Sequence, residues 1–403
     1  MQSKQFACLD IGAAKLVCLV ADISEEQPRI IGYSHKESKG FRAGTISDIN
    51  IAERSIINAI ADVEKSTGYS VDELTVIVSA SQTNSIHQEF SIKINGENIK
   101  ISDIEELTKQ VRRHFQKHGK EIIHLIPLHY RIDDSPPIDN PKNMSGNLLF
   151  AKFHIIYISQ TIAKNLENCF KRCQISINNY LIDIFASSLS NLSANEINFG
   201  SLLIDIGAAS ASFGIFKDGK FIHSGHINIA GNNITKDIAT ILNIDFLTAE
   251  KIKNLNNSLI ISNMEEREMI RTGNTLEDSR NYEINKLELK EIIKSRIEEI
   301  FAEIKREAVK NKINLSMVNN VVLTGGVANI VGLDRLANDI FQKNVRIGYP
   351  KVKNINLNHN NPSHSAIFGS LFYYRKIAEN NHPNSLGKKT LSQKLLQFLF
   401  GKY

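Results

Sequence analysis

The sequence contains one aspartate–glycine turn motif twice, about half a chain apart. Residues 8–15 read CLDIGAAK, and residues 203–210 read LIDIGAAS. An aspartate at a strand end points its carboxylate into a cleft, where it can hold Mg²⁺, usually through water. The glycine two residues later lets backbone N–H groups approach phosphate oxygens. We therefore predict that Asp10 and Asp205 hold a magnesium ion and that the two turns clamp a di- or triphosphate.

The duplication strengthens the prediction of phosphate and metal binding, because a single turn of this kind is an ordinary turn in most proteins. Each copy also follows one apolar, strand-like run and leads into another. The predicted phosphate-binding residues are Gly12, Ala13, Ala14 and Lys15 in the first turn, and Gly207, Ala208, Ala209 and Ser210 in the second.

Two later segments are suited to an adenosine. Residues 323–326 (LTGG) follow a predicted strand, and two glycines remove side chains where a flat base must slide over the backbone. The alternative for this segment alone is a tight left-handed turn. Glu250 and Lys253 are three residues apart on a predicted helix, so they share a face and either bracket a ribose and base or form a solvated charged pair. The predicted adenosine-binding residues are Glu250, Lys253, Gly325, Gly326, Val327 and Asn329.

The last seventeen residues are predicted to form an amphipathic helix that binds anionic lipids. Four large apolar side chains fall on one face, with lysines near the ends that can reach lipid headgroups. Burying four such side chains at ~1.5–3 kcal/mol each is enough for reversible attachment. The alternative is a helix docked on its own domain, which the polar segment 379–385 disfavours. The predicted membrane-binding residues are Leu391, Leu395, Phe398, Leu399, Lys388, Lys389 and Lys394.

Composition excludes several other classes of protein. The 403 residues include 48 basic and 43 acidic side chains, a formal net charge of +5 that gives no argument for nucleic acid. The four cysteines have no CxxC spacing, so we expect reduced thiols in the cytoplasm. We expect neither a signal peptide nor a membrane-spanning segment, since no run approaches ~20 apolar residues.

The pattern of elements that positions these motifs is a duplicated α/β arrangement around one cleft. Helix 51–67, ended by Gly68, and a buried strand at 74–80 follow the first hairpin. Residues 83–158 are typical of an inserted β-α-β-β module. A second insertion, 236–315, carries a helical apolar stripe that we expect to pack within that insertion, formed by Leu289, Ile293, Ile297, Ile300, Ile304 and Ala308.

These motifs and their order resemble the superfamily of actin, Hsp70 and sugar kinases. The resemblance rests on the two phosphate turns, the AEKIK helix at 249–253 and the LTGG turn. Within that superfamily the chain resembles the FtsA family of bacterial cell-division proteins. Further similar stretches are 39–49 (KGFRAGTISDI), 124–156 and 345–350 (VRIGYP), together with the closing amphipathic helix, so the resemblance covers essentially the whole chain.

The resemblance implies an α/β, actin-like, two-lobed fold of the duplicated ribonuclease H type, in which a β-α-β-β subdomain replaces an actin subdomain. The implied divisions are a first lobe at 1–82 and 159–200, the inserted subdomain at 83–158, a second lobe at 201–235 and 316–376, a subdomain at 236–315, a linker at 377–386 and the membrane-targeting helix at 387–403.

The resemblance also implies a function. Its cofactors would be ATP and Mg²⁺, and the protein would polymerise at the septum and tether FtsZ to the cytoplasmic face of the inner membrane. FtsZ would bind through 236–315, later division proteins through 83–158, further copies of the chain as filaments, and anionic lipids through the C-terminal helix.

The second phosphate turn departs from the pattern of the superfamily, which usually reads DIGGGT followed by one residue and an aspartate. Ala208, Ala209 and Ser210 replace the GGT residues, and Ser212 replaces the aspartate. Side-chain help for an attacking water is worth ~10²–10⁴-fold, so we expect ATP binding with very slow or no turnover.

Two other functions remain open from the sequence. An active small-molecule kinase or ATPase would need a catalytic aspartate in the cleft, and we assign none. A pilus-assembly actin-like protein would lack a comparable C-terminal helix.

Overall fold

Two five-stranded sheets lie at the centre of the protein. The computed structural model describes residues 5–24, 28–260, 268–271, 283–351 and 361–381. With elements numbered along the chain, the first sheet contains β1 (Gln5–Ile11), β2 (Lys15–Asp22), β3 (Arg29–Glu37), β6 (Glu73–Val78) and β10 (Ser176–Ile182). The second sheet contains β11 (Ser201–Ile206), β12 (Ala211–Lys217), β13 (Lys220–Ile227), β16 (Asn320–Thr324) and β17 (Asn344–Ile347).

The two sheets have the same topology. The strand order is β3-β2-β1-β6-β10 in one and β13-β12-β11-β16-β17 in the other. In each, the first three strands form an antiparallel meander, and the last two run parallel to the first strand of that meander. The duplication predicted from the repeated DIGAA string is therefore confirmed.

Helices cover both outer faces and fill the space between the sheets. The first sheet packs on α1 (Ile49–Thr67) and α3 (Gln160–Arg172). The second packs on α6 (Gly231–Leu242), α8 (Lys286–Lys310) and α9 (Leu333–Phe341). Between the sheets lie α4 (Asp183–Asn191) and α10 (Ser365–Asn381), in a core to which both sheets contribute.

The central strands are apolar on both faces because both faces are covered. Along β1, Cys8 faces the core between the sheets, whereas Leu9 and Ile11 face the core with α1. Along β11, Leu203 faces inward and Leu202 faces the outer core. This alternation follows from the two-residue period of a strand.

The inserted module forms a separate small layer with its own core. It consists of β7 (Asn84–Lys93), α2 (Ile101–Lys117), β8 (Lys120–Ile132) and β9 (Leu148–Ser159), in the predicted β-α-β-β order. The sheet order is β7-β9-β8, and apolar residues of α2 pack against it. The remaining elements are β4 (Phe41–Arg42), β5 (Thr45–Ile46), α5 (Ala194–Phe199), α7 (Phe246–Leu255), β14 (Met269–Arg271) and β15 (Glu283–Asn285).

The apolar stripe of α8 does not form the core of a separate insertion. All six predicted residues are buried, but they share one core with residues of the second sheet such as Ile204 and Val321. The expectation that the stripe packs within 236–315 is incomplete, because α8 packs on α6 and β15 and also on β13 of the second sheet.

The predicted helix 51–67 is confirmed as α1, and its ends have clear physical causes. The Asp48 carboxylate accepts hydrogen bonds from the backbone N–H groups of Asn50 and Ile51, and Gly68 ends the helix at φ +67°. Helix α10 continues to Asn381, so the first residues of the predicted linker 377–386 are helical. The rest of that linker and the helix predicted at 387–403 lie outside the described residues.

The contact between α4 and α10 tolerates no side chain at Gly369. A Cβ built there would lie 1.8 Å from the carbonyl oxygen of Ala186. We predict that Gly369→Ala forces the two helices apart and lowers the free energy of unfolding by about 1–3 kcal/mol, measured by urea denaturation. Ser370→Ala, the next position on the same helix, is the matched control and should cost less. A Gly369→Ala variant as stable as the wild type would contradict the close contact.

Candidate functional site

A cleft of about 1060 Å³ lies between the two lobes, at the turns that follow β1 and β11. Every residue predicted to bind phosphate, adenosine or metal lines it. Residues far apart in the chain meet here because β1 and β11 occupy equivalent positions in the two sheets.

The two phosphate-type turns share one geometry. The Gly12 N–H donates to the Lys15 carbonyl at 3.0 Å, and the Gly207 N–H donates to the Ser210 carbonyl at 3.1 Å. Each turn closes an antiparallel hairpin. The start of α6 supports the second turn, since the Gly231 N–H donates to the Gly207 carbonyl at 3.1 Å.

Three half-buried carboxylates face the same cleft. Loss of solvation raises the pKa of Asp10 to about 7, and Asp205 adds repulsion while Lys15 opposes it. The same loss of solvation, together with the charge of Asp205, raises the pKa of Asp183 to about 7. It also raises the pKa of Asp205, although Ser187 Oγ donates to Asp205 Oδ2 at 2.8 Å and Lys15 is close.

Asp183 is the functional residue that sequence reasoning missed. It is the first residue of α4, directly after β10, and its carboxylate accepts hydrogen bonds from the Ile184 N–H (2.5 Å) and Ser212 Oγ (3.1 Å). No catalytic aspartate was assigned from the sequence, and the structure adds Asp183 to the residues that line the cleft. The signal was its position: β10 is parallel to β6, and parallel strands present functional groups at their carboxyl ends.

Lys15 supplies a positive charge beside these carboxylates. Its Nζ donates to the Ser363 carbonyl at 2.6 Å, and partial burial lowers its pKa against the opposing effect of Asp10 and Asp205. The lysine thus offsets part of the negative charge. When all three carboxylates are ionised, the group keeps a net negative charge that a further cation could neutralise.

The two glycines of the LTGG turn serve different purposes. Gly325 has φ +88°, and a Cβ there would lie 2.4 Å from Asp205 Oδ1, so this position requires glycine for packing. Nothing lies within 4 Å of a Cβ built at Gly326, which leaves the backbone open to the cleft. The predicted role of both glycines in binding a base stays a prediction, and the packing against Asp205 gives a second reason for glycine at position 325.

Glu250 and Lys253 form an ion pair at the wall of the cleft. The Lys253 Nζ donates to Glu250 Oε2 at 2.6 Å and to Thr235 Oγ1 at 2.8 Å. Burial raises the pKa of Glu250, but hydrogen bonds from Lys253 and Thr235 outweigh it and lower that pKa below its ordinary value. The two charges pair with each other while lining the cleft, and binding of a ribose and base by this pair stays a prediction. Asn329 lies nearby, its Nδ2 donating to Asn361 Oδ1 at 3.0 Å.

The donor set of the cleft fits a hard divalent cation. Asp10, Asp183 and Asp205 offer only oxygen atoms, the ligands that Mg²⁺ prefers. Burial is the main cause of their raised pKa values, and the charge of Asp205 adds to it at Asp10 and Asp183. These residues would hold the ion, which would neutralise charge on the carboxylates and on a bound phosphate.

The predicted membrane-binding residues, from Lys388 to Leu399, lie outside the described residues. Of the helices that the structure does describe, none is long and apolar enough to cross a membrane.

The two sheets of equal topology, with one turn from each facing a shared cleft, define an actin-like protein. Solved structures agree with this class. The chain aligns with MreB5 of Spiroplasma citri bound to ADP at a TM-score of 0.57 and 14% identity, covering 96% of this chain and 100% of that one. It aligns with the PilM–PilN type IV pilus biogenesis complex at a TM-score of 0.65 and 16% identity, covering 91% and 98%. The predicted actin-like fold with an inserted subdomain is confirmed.

Sequence comparisons then give the family. The profile of the family "Cell division protein FtsA" matches residues 202–369, and that of the "SHS2 domain inserted in FTSA" matches residues 80–157. The cell division protein FtsA of Agrobacterium fabrum is 30% identical over 379 residues, covering 91% of this chain and 86% of that protein. This chain belongs to the FtsA family of cell-division proteins.

The charge of Asp183 should limit stability at high pH. Its folded pKa of about 7 lies above the ordinary 3.8, so its contribution to stability is full below the ordinary pKa and is lost as pH rises through 7. We predict that the free energy of unfolding in EDTA, measured by urea denaturation, falls as the pH rises from about 4 to about 7.5 and that Asp183→Asn removes on the order of 1–3 kcal/mol of this fall. The exposed Asp134→Asn is the control. An unchanged pH slope in Asp183→Asn would contradict the assignment.

Proposed function

We propose that this chain is an ATP-binding, actin-like cell-division protein that polymerises at the septum and tethers FtsZ to the cytoplasmic face of the inner membrane. The main observation in support of ATP binding is the pair of equivalent turns, which face three carboxylates across one cleft. Membership of the FtsA family supports the cell-division part. Recruitment of later division proteins belongs to the same proposal.

In the proposed complex, ATP occupies the cleft with its phosphates between the two turns. Backbone N–H groups at 12–15 and 207–210 bind the phosphates, and Asp10 and Asp205 hold Mg²⁺, with Asp183 as a third oxygen donor. The adenosine lies against Gly326 and the Glu250–Lys253 pair. MreB5 of Spiroplasma citri, a protein of the same fold, is bound to ADP, which supports nucleotide binding by this chain.

Hydrolysis depends on Asp183 in this account. Ala208 and Ala209 of the second turn have no polar side chain to align water, but Asp183 places a carboxylate in the cleft. Its hydrogen bond from Ser212 links it to the position where the superfamily pattern has an aspartate. Asp183 is also the one observation that favours the alternative, an active ATPase or kinase.

The exposed apolar side chains that we assign to the FtsZ surface do not line the cleft. We assign FtsZ to 236–315, where Leu255 at the end of α7 is 83% exposed and Ile241 on the neighbouring α6 is 54% exposed. Exposed apolar side chains on adjacent helices are typical of an interaction site. We assign later division proteins to the module 83–158, further copies of the chain to filament contacts, and anionic lipids to the helix at 387–403.

Asp205→Ala should weaken ATP binding mainly when Mg²⁺ is present. Asp205 faces the cleft and supplies no predicted contact to the base, so its loss should weaken Mg-ATP binding at least about tenfold more than ATP binding in EDTA. Calorimetric titration of both states measures this. Exposed Asp134→Ala is the control, and equal losses with and without Mg²⁺ would remove Asp205 from the metal site.

Phosphate release should be slow and should depend on Asp183. We predict turnover barely above background for the wild type and none for Asp183→Asn, because loss of a positioned base costs ~10²–10⁴-fold. The measurement is phosphate release with Mg-ATP, with Asp134→Asn as the control. Robust turnover in the wild type that Asp183→Asn abolishes would favour the ATPase alternative.

The tether should fail when the apolar face of the C-terminal helix is charged. We predict that Leu395→Glu with Phe398→Glu removes the chain and bound FtsZ from anionic liposomes in a flotation assay. Each substitution removes ~1.5–3 kcal/mol of burial and adds a charge that is costly to bury. ATP affinity and melting temperature should stay near wild type.

Phe400→Glu is the control for the tether, because Phe400 falls opposite the apolar face and should cost less. If the double variant still floated with liposomes, or if its core unfolded, the helix would be a docked structural element.

A further inference from the structure

Three histidines from three different strands meet where the inserted module contacts the second lobe. His87 lies on β7, His154 on β9 and His223 on β13. One ring nitrogen from each lies within 4.8 Å of those of the other two. The cluster is separate from the nucleotide cleft, since none of the three lines it.

The strand arrangement holds two of the rings against the outer strand of the second sheet. His87 and His154 are directly opposite each other in the antiparallel β7–β9 pair. The His154 Nδ1 lies 2.9 Å from the Phe221 carbonyl, and the His87 Nε2 lies 2.7 Å from the Ile222 carbonyl.

Those two contacts determine which ring nitrogens have lone pairs. A carbonyl oxygen only accepts, so His154 Nδ1 and His87 Nε2 must both carry hydrogen and donate. His154 Nε2 and His87 Nδ1 are then the lone-pair nitrogens. A metal-binding histidine has this arrangement, because its second nitrogen donates to a backbone carbonyl and fixes the ring.

His223 is the member of the cluster whose burial is not offset by any hydrogen bond among the described residues. It is 3% exposed, and neither of its ring nitrogens has a hydrogen-bond partner among the described residues. An unpaired buried polar group is destabilising, and native structures contain few of them. A ligand between the rings would satisfy it.

The buried rings are neutral at physiological pH. Burial lowers the pKa of His223 to about 4, with a further contribution from His87. Burial also holds the pKa of His154 well below its ordinary value. Neutral imidazoles have the lone pair that a metal ion needs.

We propose that His87, His154 and His223 bind one divalent transition-metal ion, best matched by Zn²⁺, that joins the inserted module to the second lobe. Three imidazole nitrogens form a recurrent zinc ligand set, with water in the fourth position. Nitrogen ligands disfavour Mg²⁺ and Ca²⁺, which take oxygen. The Ser85 hydroxyl, now 2.8 Å from His154 Nε2, turns aside when the ion binds.

The ion would act as a cross-link between parts of the chain far apart in sequence. Strands β7 and β9 belong to the module, whereas β13 is the edge strand of the second sheet. A bound ion therefore favours the conformation in which module and lobe are in contact, and it stabilises that conformation by mass action.

The test is a Zn²⁺ titration of the EDTA-stripped, full-length protein against a chromophoric chelator, followed by Co²⁺ absorption spectroscopy. We expect one tight site per chain. His87→Ala and His223→Ala should each weaken it at least about tenfold. Zn²⁺ should raise the melting temperature of the wild type and not that of His223→Ala. His87 is exposed, so its variant keeps the experiment valid if His223→Ala fails to fold.

A second histidine pair provides the matched control. His114 lies near the end of α2 and His118 directly follows that helix; both are exposed, with ring centroids 4.5 Å from each other, so they can chelate metal weakly on the surface. The double variant His114→Ala, His118→Ala should keep the tight site. The proposal is overturned if the wild type binds no Zn²⁺, if binding survives His87→Ala and His223→Ala, if it is lost with His114 and His118, or if Co²⁺ shows a thiolate charge-transfer band.

Discussion

The site depends on three carboxylates held close together across a cleft with one lysine beside them. Taking like charges out of water and placing them near each other is costly, and a shift of one pKa unit corresponds to about 1.4 kcal/mol. Asp10, Asp183 and Asp205 come from the ends of β1, β10 and β11, so both lobes bring negative charge to one place. Protonation near pH 7 relieves this repulsion in part, and a bound cation would relieve it without protonation.

The duplicated topology explains how the carboxylates come together. In each sheet an antiparallel hairpin begins at the strand that carries the aspartate, so the turn and the carboxylate lie at the same edge. Helices α4 and α10 fill the space between the sheets, and α4 begins with Asp183. The close crossing of α10 over α4 at Gly369 thus supports an element that carries a cleft residue. The helix contact at Gly369 and the position of the Asp183 carboxylate therefore both depend on α4.

Sequence patterns predict the parts of the structure that depend on residues close together in the chain or on a repeated motif. The repeated DIGAA string predicts the two lobes. The helical spacing of apolar residues, ended by Gly68, predicts α1. The order of elements in 83–158 gives the inserted module, and every residue predicted for the cleft lines it.

Features that depend on long-range contacts were not predicted. Asp183 reaches the cleft only because β10 is parallel to β6. The α8 stripe returns to the second sheet, Gly325 makes room for Asp205, and three histidines from separate strands converge on one point. Neither periodicity nor spacing encodes these contacts, because each is fixed by which strands pair in the folded chain.

The most direct measurement of the central claim is a calorimetric titration of the cleft with ATP, ADP and GTP, with and without Mg²⁺. Since the carboxylates need a cation before phosphate can approach them, the account predicts one site per chain that binds ATP more tightly with Mg²⁺ than in EDTA. The advantage of Mg²⁺ should grow from pH 6 to pH 8 as Asp10 and Asp183 lose their protons. Binding that is absent, or equally tight with and without Mg²⁺ at every pH, would contradict it.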